Sequence, residues 1–209
     1  MAHLNDKAEY FDYHVSAFMG EMSETEVALL DWFRRKWNIR PGMSVLEPGC
    51  GTGALTRRLA EWTGPSGVVV AFDISPKMLA AHAQNAPMDN VRRLLSSAEQ
   101  LPDMDERFDC VVCYRAFPHF DDPVRALRNF HGLLRSNGEV HVSHPVSRQR
   151  VNEIHSDAGG AVADDILEGE SRMREFFTDA GFRVQGLLDL PDRYNLTAVR
   201  IDEAQEKAQ

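Results

Sequence analysis

Val45-Leu46-Glu47-Pro48-Gly49-Cys50-Gly51-Thr52-Gly53 is the stretch that decides the fold. A short apolar run, Met43 to Leu46, meets an acidic residue; three alternating glycines follow, and a helical pattern then begins. Glycines at a strand end let the backbone turn sharply and approach a ligand closely, because no Cβ stands in the way. The helix start behind them presents free N–H groups and the positive end of the helix dipole. Glu47 changes what this arrangement suits. A carboxylate beside the loop repels a pyrophosphate and favours a cationic ligand.

Outward from this turn the chain alternates strands and helices. Upstream, Ser23-x-x-Glu26 is a capping box opening a helix with Val27, Leu30, Phe33 or Arg34, and Trp37 at helical spacing, and Pro41-Gly42 ends it. The first strand covers about 43–47, and its helix runs from Thr52 with Leu55, Leu59 and Trp62 on one face. The second strand, Val68 to Phe72, ends in Asp73, and Ser75-Pro76 caps the next helix, to about Asn85. Strands follow at Val91–Leu95 and Phe108–Tyr114, and Asp122-Pro123 caps a helix carrying Val124, Leu127 and Leu134. Asn137-Gly138 turns into a fifth strand, about Glu139 to Ser143, and Ser147 and Ser171 begin further helices, the latter stopped by Gly181. Phe182–Leu190 and Tyr194–Ile201 read as strands around Pro191-Asp192-Arg193. Such alternation implies a doubly wound, mostly parallel sheet of seven strands with helices on both faces. The terminal pair is joined too tightly for a parallel crossover, so the last strand is expected to run antiparallel.

Composition fits one domain: 209 residues can bury a substantial core. No apolar stretch approaches the roughly 18–20 residues of a membrane helix. The N-terminus lacks the basic-then-apolar pattern of a signal peptide, so a cytoplasmic location is expected. A formal charge of −9 argues against a nucleic-acid partner, which would be held by clustered Lys and Arg. Cys110-Val-Val-Cys113 is formally C-x-x-C, but strand alternation sends the two thiols to opposite faces, so both read as core residues.

The run Glu-x-Gly-x-Gly-x-Gly after a strand resembles the first motif of the class I S-adenosylmethionine (SAM)-dependent methyltransferases. SAM carries an ammonium and a sulfonium, the cationic character that Glu47 suits. The resemblance implies a Rossmann-like fold ending in a hairpin and a cofactor site at Glu47, Gly49, Cys50 and Gly51. Asp73, twenty residues past Gly53, stands where a carboxylate accepts from both ribose hydroxyls. Ile74 and Met78 would flank the adenine, although apolar residues at a helix start also serve a core. The family usually has Asp-Ala-x-x-Leu-Pro after strand three. Here Ser97 replaces that Asp in Ser97-Ala98-Glu99-Gln100-Leu101-Pro102, so backbone groups of Ala98 are expected to carry more of the adenine recognition. The match runs from about residue 40 to 145, and is similar to the ubiquinone/menaquinone C-methyltransferase-like (type 11) branch. It implies a SAM-binding domain at 43–201 with an insertion at about 145–168. Residues 1–42 would form a helical cap or lid, and 202–209 a frayed tail.

A NAD(P)-dependent oxidoreductase is the rival within the fold, since Gly49-x-Gly51-x-x-Ala54 satisfies the dinucleotide fingerprint. Glu47, Pro48 and a third glycine at 53 oppose it. A non-catalytic SAM-binding module is the third reading. On the acceptor side, a small molecule is expected, with its identity and the oligomeric state left open. His119 follows strand four, where the loop would face the methyl group; it is either a base or an ordinary loop histidine. His144 and His155 are the other candidate catalytic groups. Arg148, Asn152 and His155 share one helical stripe and, with Arg115, suggest an acceptor wall suited to an anionic or strongly polar molecule, against a solvated helix face. In the resembling enzymes an aromatic N-terminal segment folds over the cofactor, which makes Tyr10 and Tyr13 candidates for contact with the sulfonium. No metal is expected: His141 and His144 point to opposite faces of their strand, leaving only a set of His144, His155 and His119.

Overall fold

The computed structural model describes residues 2–20 and 22–202, so the tail expected at 202–209 lies, Asp202 apart, outside the described residues. In chain order the elements are α1 (Ala2–Tyr13), α2 (Glu24–Trp37), β1 (Ser44–Pro48), α3 (Ala54–Thr63), β2 (Val68–Asp73), α4 (Pro76–Asn85) and β3 (Val91–Leu95). Then come β4 (Phe108–Tyr114), α5 (Pro123–Leu133), β5 (Leu134–His144), α6 (Arg148–Ala158), α7 (Glu170–Asp179), β6 (Phe182–Leu190) and β7 (Arg193–Arg200). The seven strands form one sheet in the order β3-β2-β1-β4-β5-β7-β6. β1 to β5 pair in parallel, whereas β7 runs antiparallel to both β5 and β6.

Local chemistry sets the ends of most elements. Ser23 and Glu26 form the reciprocal capping box of α2, and the helix stops at Asn38, in the left-handed conformation, before Pro41-Gly42 is reached. Ser75 accepts from the Met78 amide with Pro76 in the first turn of α4, and Asp122 accepts from the Arg125 amide at α5. Two element starts differ from the expected ones by two residues or more. α3 begins at Ala54 because Gly53 sits at φ +89, outside helical space. β5 begins at Leu134, so Asn137-Gly138 falls inside the strand. There the register against β4 jumps between Phe108 and Cys110, and Asn137 takes φ +61, as a bulge requires.

The sheet divides two apolar cores. One face packs Val45, Val69, Cys110 and Val112 against Leu30, Phe33 and Trp37 of α2 and Leu55 and Leu59 of α3. The other packs Leu46, Val70, Val111 and Cys113 against Leu127 and Phe130 of α5 and Phe177 of α7. Cys110 and Cys113 thus lie on opposite sides and are both free. Among the described residues no helix is long and apolar enough to cross a membrane.

A buried polar thread crosses the first core. The Trp37 indole donates to Ser143 Oγ at 3.0 Å, and Ser143 donates to Asn195 Oδ1 at 2.9 Å. One hydroxyl therefore ties α2 to β5 and β7. Ser143→Ala would strand an indole N–H and an amide oxygen in the core. It is expected to lower the unfolding free energy by about 1–3 kcal/mol, with an unchanged m-value in urea. An unchanged midpoint would show that neither group depends on the hydroxyl.

Candidate functional site

Strand order reverses between β1 and β4, and in open α/β sheets ligands lie beyond the carboxyl strand ends at that point. Here the glycine loop meets the loop after β4. A Cβ on Gly49 would fall 2.6 Å from the Ala116 Cβ, so only glycine lets the two loops cross. A Cβ on Gly51 would meet nothing within 4 Å, which leaves that side of the loop open to a ligand. The third glycine has a different reason: a Cβ on Gly53, also at positive φ, would press on the His82 ring at 3.0 Å.

That ring belongs to a one-way chain of hydrogen bonds. Arg93 Nε can only donate, so His82 Nδ1 accepts (2.8 Å) and its Nε2 carries the proton. Nε2 then donates to Thr56 Oγ1 at 2.8 Å, and Thr56 donates to Glu47 Oε2 at 2.6 Å. Burial keeps His82 neutral by pushing its pKa down to about 4. Glu47, 2% exposed, has no lysine or arginine paired with it among the described residues. Burial, only partly offset by Thr56, pushes its pKa up to about 8. Asp73, 8% exposed, is likewise raised by burial, although Gly51 N–H donates to Oδ2 and Ser75 N–H to Oδ1, each at 2.9 Å. It therefore serves its own turn while fastening the glycine loop to β2.

One cavity of about 460 Å³ joins these groups to the far side of the cleft. Glu47, Gly49, Cys50, Gly51, Asp73, Ile74, Met78, Ser97 and Ala98 line one part of it, and Arg115, His119, His144 and His155 another. Ser97 Oγ is buried without a hydrogen-bond partner among the described residues, and the Ala98 carbonyl accepts from Asn129 at 2.8 Å. Two buried carboxylates without a cation, an unpartnered hydroxyl and a glycine face open to the cavity fit a ligand with a cationic end and several donors. SAM is such a ligand.

Three residues expected at the cavity, Tyr13 beside the sulfonium and Arg148 and Asn152 in the acceptor wall, lie elsewhere. Tyr13 is 82% exposed, because Lys7 and Phe11 set the inward face of α1 and position 13 falls some 200° around from Phe11. The Arg148 amide donates to Asp189 Oδ1 at 2.9 Å, and its guanidinium lies 3.8 Å from the same carboxylate on β6. Asn152 holds Leu167 through the backbone, accepting from its N–H at 2.8 Å and donating to its carbonyl at 3.2 Å. The stripe of α6 that reaches the cavity is instead Val151, Ile154, His155 and Ala158. Tyr10 and Phe11 of α1 also reach it. Among the described residues no three acidic, His or Cys side chains are placed to share a metal.

The fold and this cleft together define the class I SAM-dependent methyltransferases. A methyltransferase-domain family matches residues 39–191, and the chain belongs to that family. A ubiquinone/menaquinone biosynthesis C-methyltransferase (UbiE) from Hahella chejuensis is 37% identical over 50% of this chain and 44% of its own length. The UbiE of Pectobacterium atrosepticum is 28% identical over 76% of this chain and 71% of its own length. The chain thus spans from under half to about seven-tenths of these relatives. Magnesium protoporphyrin IX methyltransferase from Synechocystis PCC 6803, solved with bound S-adenosylhomocysteine (SAH), superposes with a TM-score of 0.67 at 19% identity, covering 95% of this chain and 100% of that one. A methyltransferase from Haloferax volcanii, in complex with the Trm112 methyltransferase activator, gives 0.70 at 19% identity, over 92% and 98%. Those likenesses show the fold. None of them supports the oxidoreductase alternative.

Sequence reasoning passed over Thr56, His82 and Arg93, which look like helix and strand residues until the fold brings them to Glu47. Their consequence is measurable in the ligand-free protein. A carboxyl with a raised folded pKa contributes stability that is present below its unfolded value, near 4.5, and is lost as pH rises through about 8. Glu47→Gln removes that loss. Its melting temperature relative to wild type should therefore climb as pH is raised from 5 to 8.5. A constant difference across that window would show that Glu47 ionises normally.

Proposed function

We propose that this chain transfers a methyl group from SAM to a small, uncharged acceptor with an apolar body and a dissociable proton, such as a phenol. The observation that carries the acceptor class is the composition of the far wall. Phe11, Phe120, Val146, Val151 and Ile154 supply apolar surface, and three imidazoles interrupt it. Burial holds His144 and His119 below the ordinary histidine range, so both accept hydrogen bonds at neutral pH. Among the described residues His144 Nε2 has no hydrogen-bond partner. Neutral imidazoles in an apolar wall suit a hydroxyl. With Arg148 turned to Asp189, and Arg115 facing the cavity together with Glu26, the wall has little to offer a carboxylate. The names of the UbiE relatives, C-methyltransferases of quinone biosynthesis, accord with a ring acceptor.

When bound, SAM supplies an activated methyl group on a sulfonium leaving group. The protein's share is positioning, exclusion of water and removal of a proton. Glu47 would take the ammonium end, Asp73 the ribose hydroxyls, Ser97 Oγ and Ala98 the adenine edge, with Ile74 and Met78 against the ring. Arg115 and His119 line the half of the cavity that this placement would leave for the acceptor. A purely SAM-binding module would have no use for a second, imidazole-lined half.

Two measurements test this reading. Asp73→Ala should weaken SAH binding in calorimetry by about 1.5–3 kcal/mol, as for hydrogen bonds to a charged group; unchanged affinity would remove Asp73 from the site. Incubation with methyl-labelled SAM and a panel of catechol, 1-naphthol, thiophenol, aniline and benzoate should label the phenols. Label on benzoate alone, or on nothing, would overturn the acceptor class.

A further inference from the structure

Methyl transfer at this cavity leaves one buried charged cluster without a role. Lys7 of α1 is pinned on three sides: Nζ lies 2.8 Å from Asp121 Oδ1, 2.8 Å from Asp165 Oδ1, and donates to the His119 carbonyl at 3.0 Å. Asp165 turns its other oxygen to His119, accepting from Nδ1 at 2.6 Å. Its backbone carbonyl accepts from His155 Nδ1, also at 2.6 Å. One residue therefore fixes two imidazoles whose rings stand 4.8 Å apart. Because its Nδ1 donates, the neutral His119 is left with Nε2 as an acceptor.

Resting on the methyl-transfer reading above, we propose that His119 is the base that takes the acceptor's proton. Asp165 is the residue that positions it, and Lys7 locks the pair when the N-terminal helix lies over the cavity. Docking α1 thus assembles the base. The step balances: the acceptor X–H gives its proton to His119 Nε2, and the X electron pair forms the bond to the methyl carbon. The sulfur–methyl bond breaks, with its pair retained on sulfur as a neutral thioether.

Electrostatics favours this direction. With His119 neutral, Lys7, Asp121, Asp165 and His119 carry one net negative charge, and an acquired proton neutralises it. The groups facing His119 are Lys7 from α1, Asp165 from the segment after α6, His155 from α6 and His144 from β5, with Arg115 beyond His144. Asp164 and Glu168 border the hollow behind Asp165. Burial alone would raise Asp165, yet the hydrogen bonds from His119 and Lys7 outweigh it and hold the carboxylate ionised. Burial also opposes the charge on Lys7, and the two aspartates restore it.

The test uses the full chain, ¹⁵N-histidine labelled and loaded with SAH, in long-range ¹H–¹⁵N spectra across pH. His119 should appear as the Nδ1–H tautomer. Asp165→Asn keeps an acceptor oxygen but removes the charge, and should lower the His119 pKa by about one unit or more. Lys7→Met removes a neighbouring cation and should raise it. Charges this close move the His119 pKa whatever the cluster does, so the discriminating readout is the pH profile of kcat: its acidic limb should move with the His119 pKa in each variant, and stays put if the cluster is only structural. With the phenol that takes label, His119→Gln should cost about 100-fold or more in kcat with SAH affinity within twofold. An Nε2–H tautomer, two unmoved pKa values, or full turnover by His119→Gln would overturn the proposal while leaving SAM-dependent transfer intact. Failure of wild type to bind SAH would instead remove the cofactor reading beneath it.

Discussion

Two buried carboxylates at adjacent strand ends are the constraint on which the site depends. Among the described residues Glu47 and Asp73 lie deep in the cleft without a paired cation, and an apolar environment resists their ionisation. The fold meets this cost locally. A chain of donors from Arg93 through His82 and Thr56 ends on Glu47, and two loop amides end on Asp73. What is left over is capacity for hydrogen-bond donors and positive charge. That capacity selects a cationic nucleoside over a pyrophosphate within a fold that serves both.

The same loops carry the geometry to the acceptor half. Gly49 lets the β1 loop pass against Ala116, so the turn beneath Glu47 and the turn leading to His119 are set by one contact. Arg115, at φ +58, donates through its amide to the Ser143 carbonyl at 2.9 Å, which couples the β4 loop to β5 just before His144. α1 then lies over the opening, fastened by Lys7 at one end. At the other, Asp12 accepts from Ser75 Oγ at 2.5 Å and from the Lys77 amide at 3.0 Å.

Much of the fold was legible in the sequence because its signals are short-range. Capping residues, Pro at first turns and strand alternation act within four residues, and they placed α2, α4, α5 and the paired strands. The seventh strand was read as antiparallel from the length of one turn. The β5 bulge was missed because Asn137-Gly138 has the chemistry of a turn in either setting. On the site, the spacing of Gly49, Gly51 and Asp73 pointed to one cleft. The acceptor wall was read less well. A helical stripe predicts which residues share a face but not what that face meets. Arg148 and Asn152 found partners at Asp189 and Leu167, distant in sequence. Lys7 and Asp165 carried no local signature and meet only through the tertiary fold.

The most direct test of the central claim is a crystal structure of the full chain with SAH. The ribose should hydrogen-bond to Asp73, the amino group should lie toward Glu47, and the sulfur should face the half of the cavity lined by His119 and His144. SAH bound outside the glycine-loop cleft, or with its adenine among the three histidines, would contradict the account.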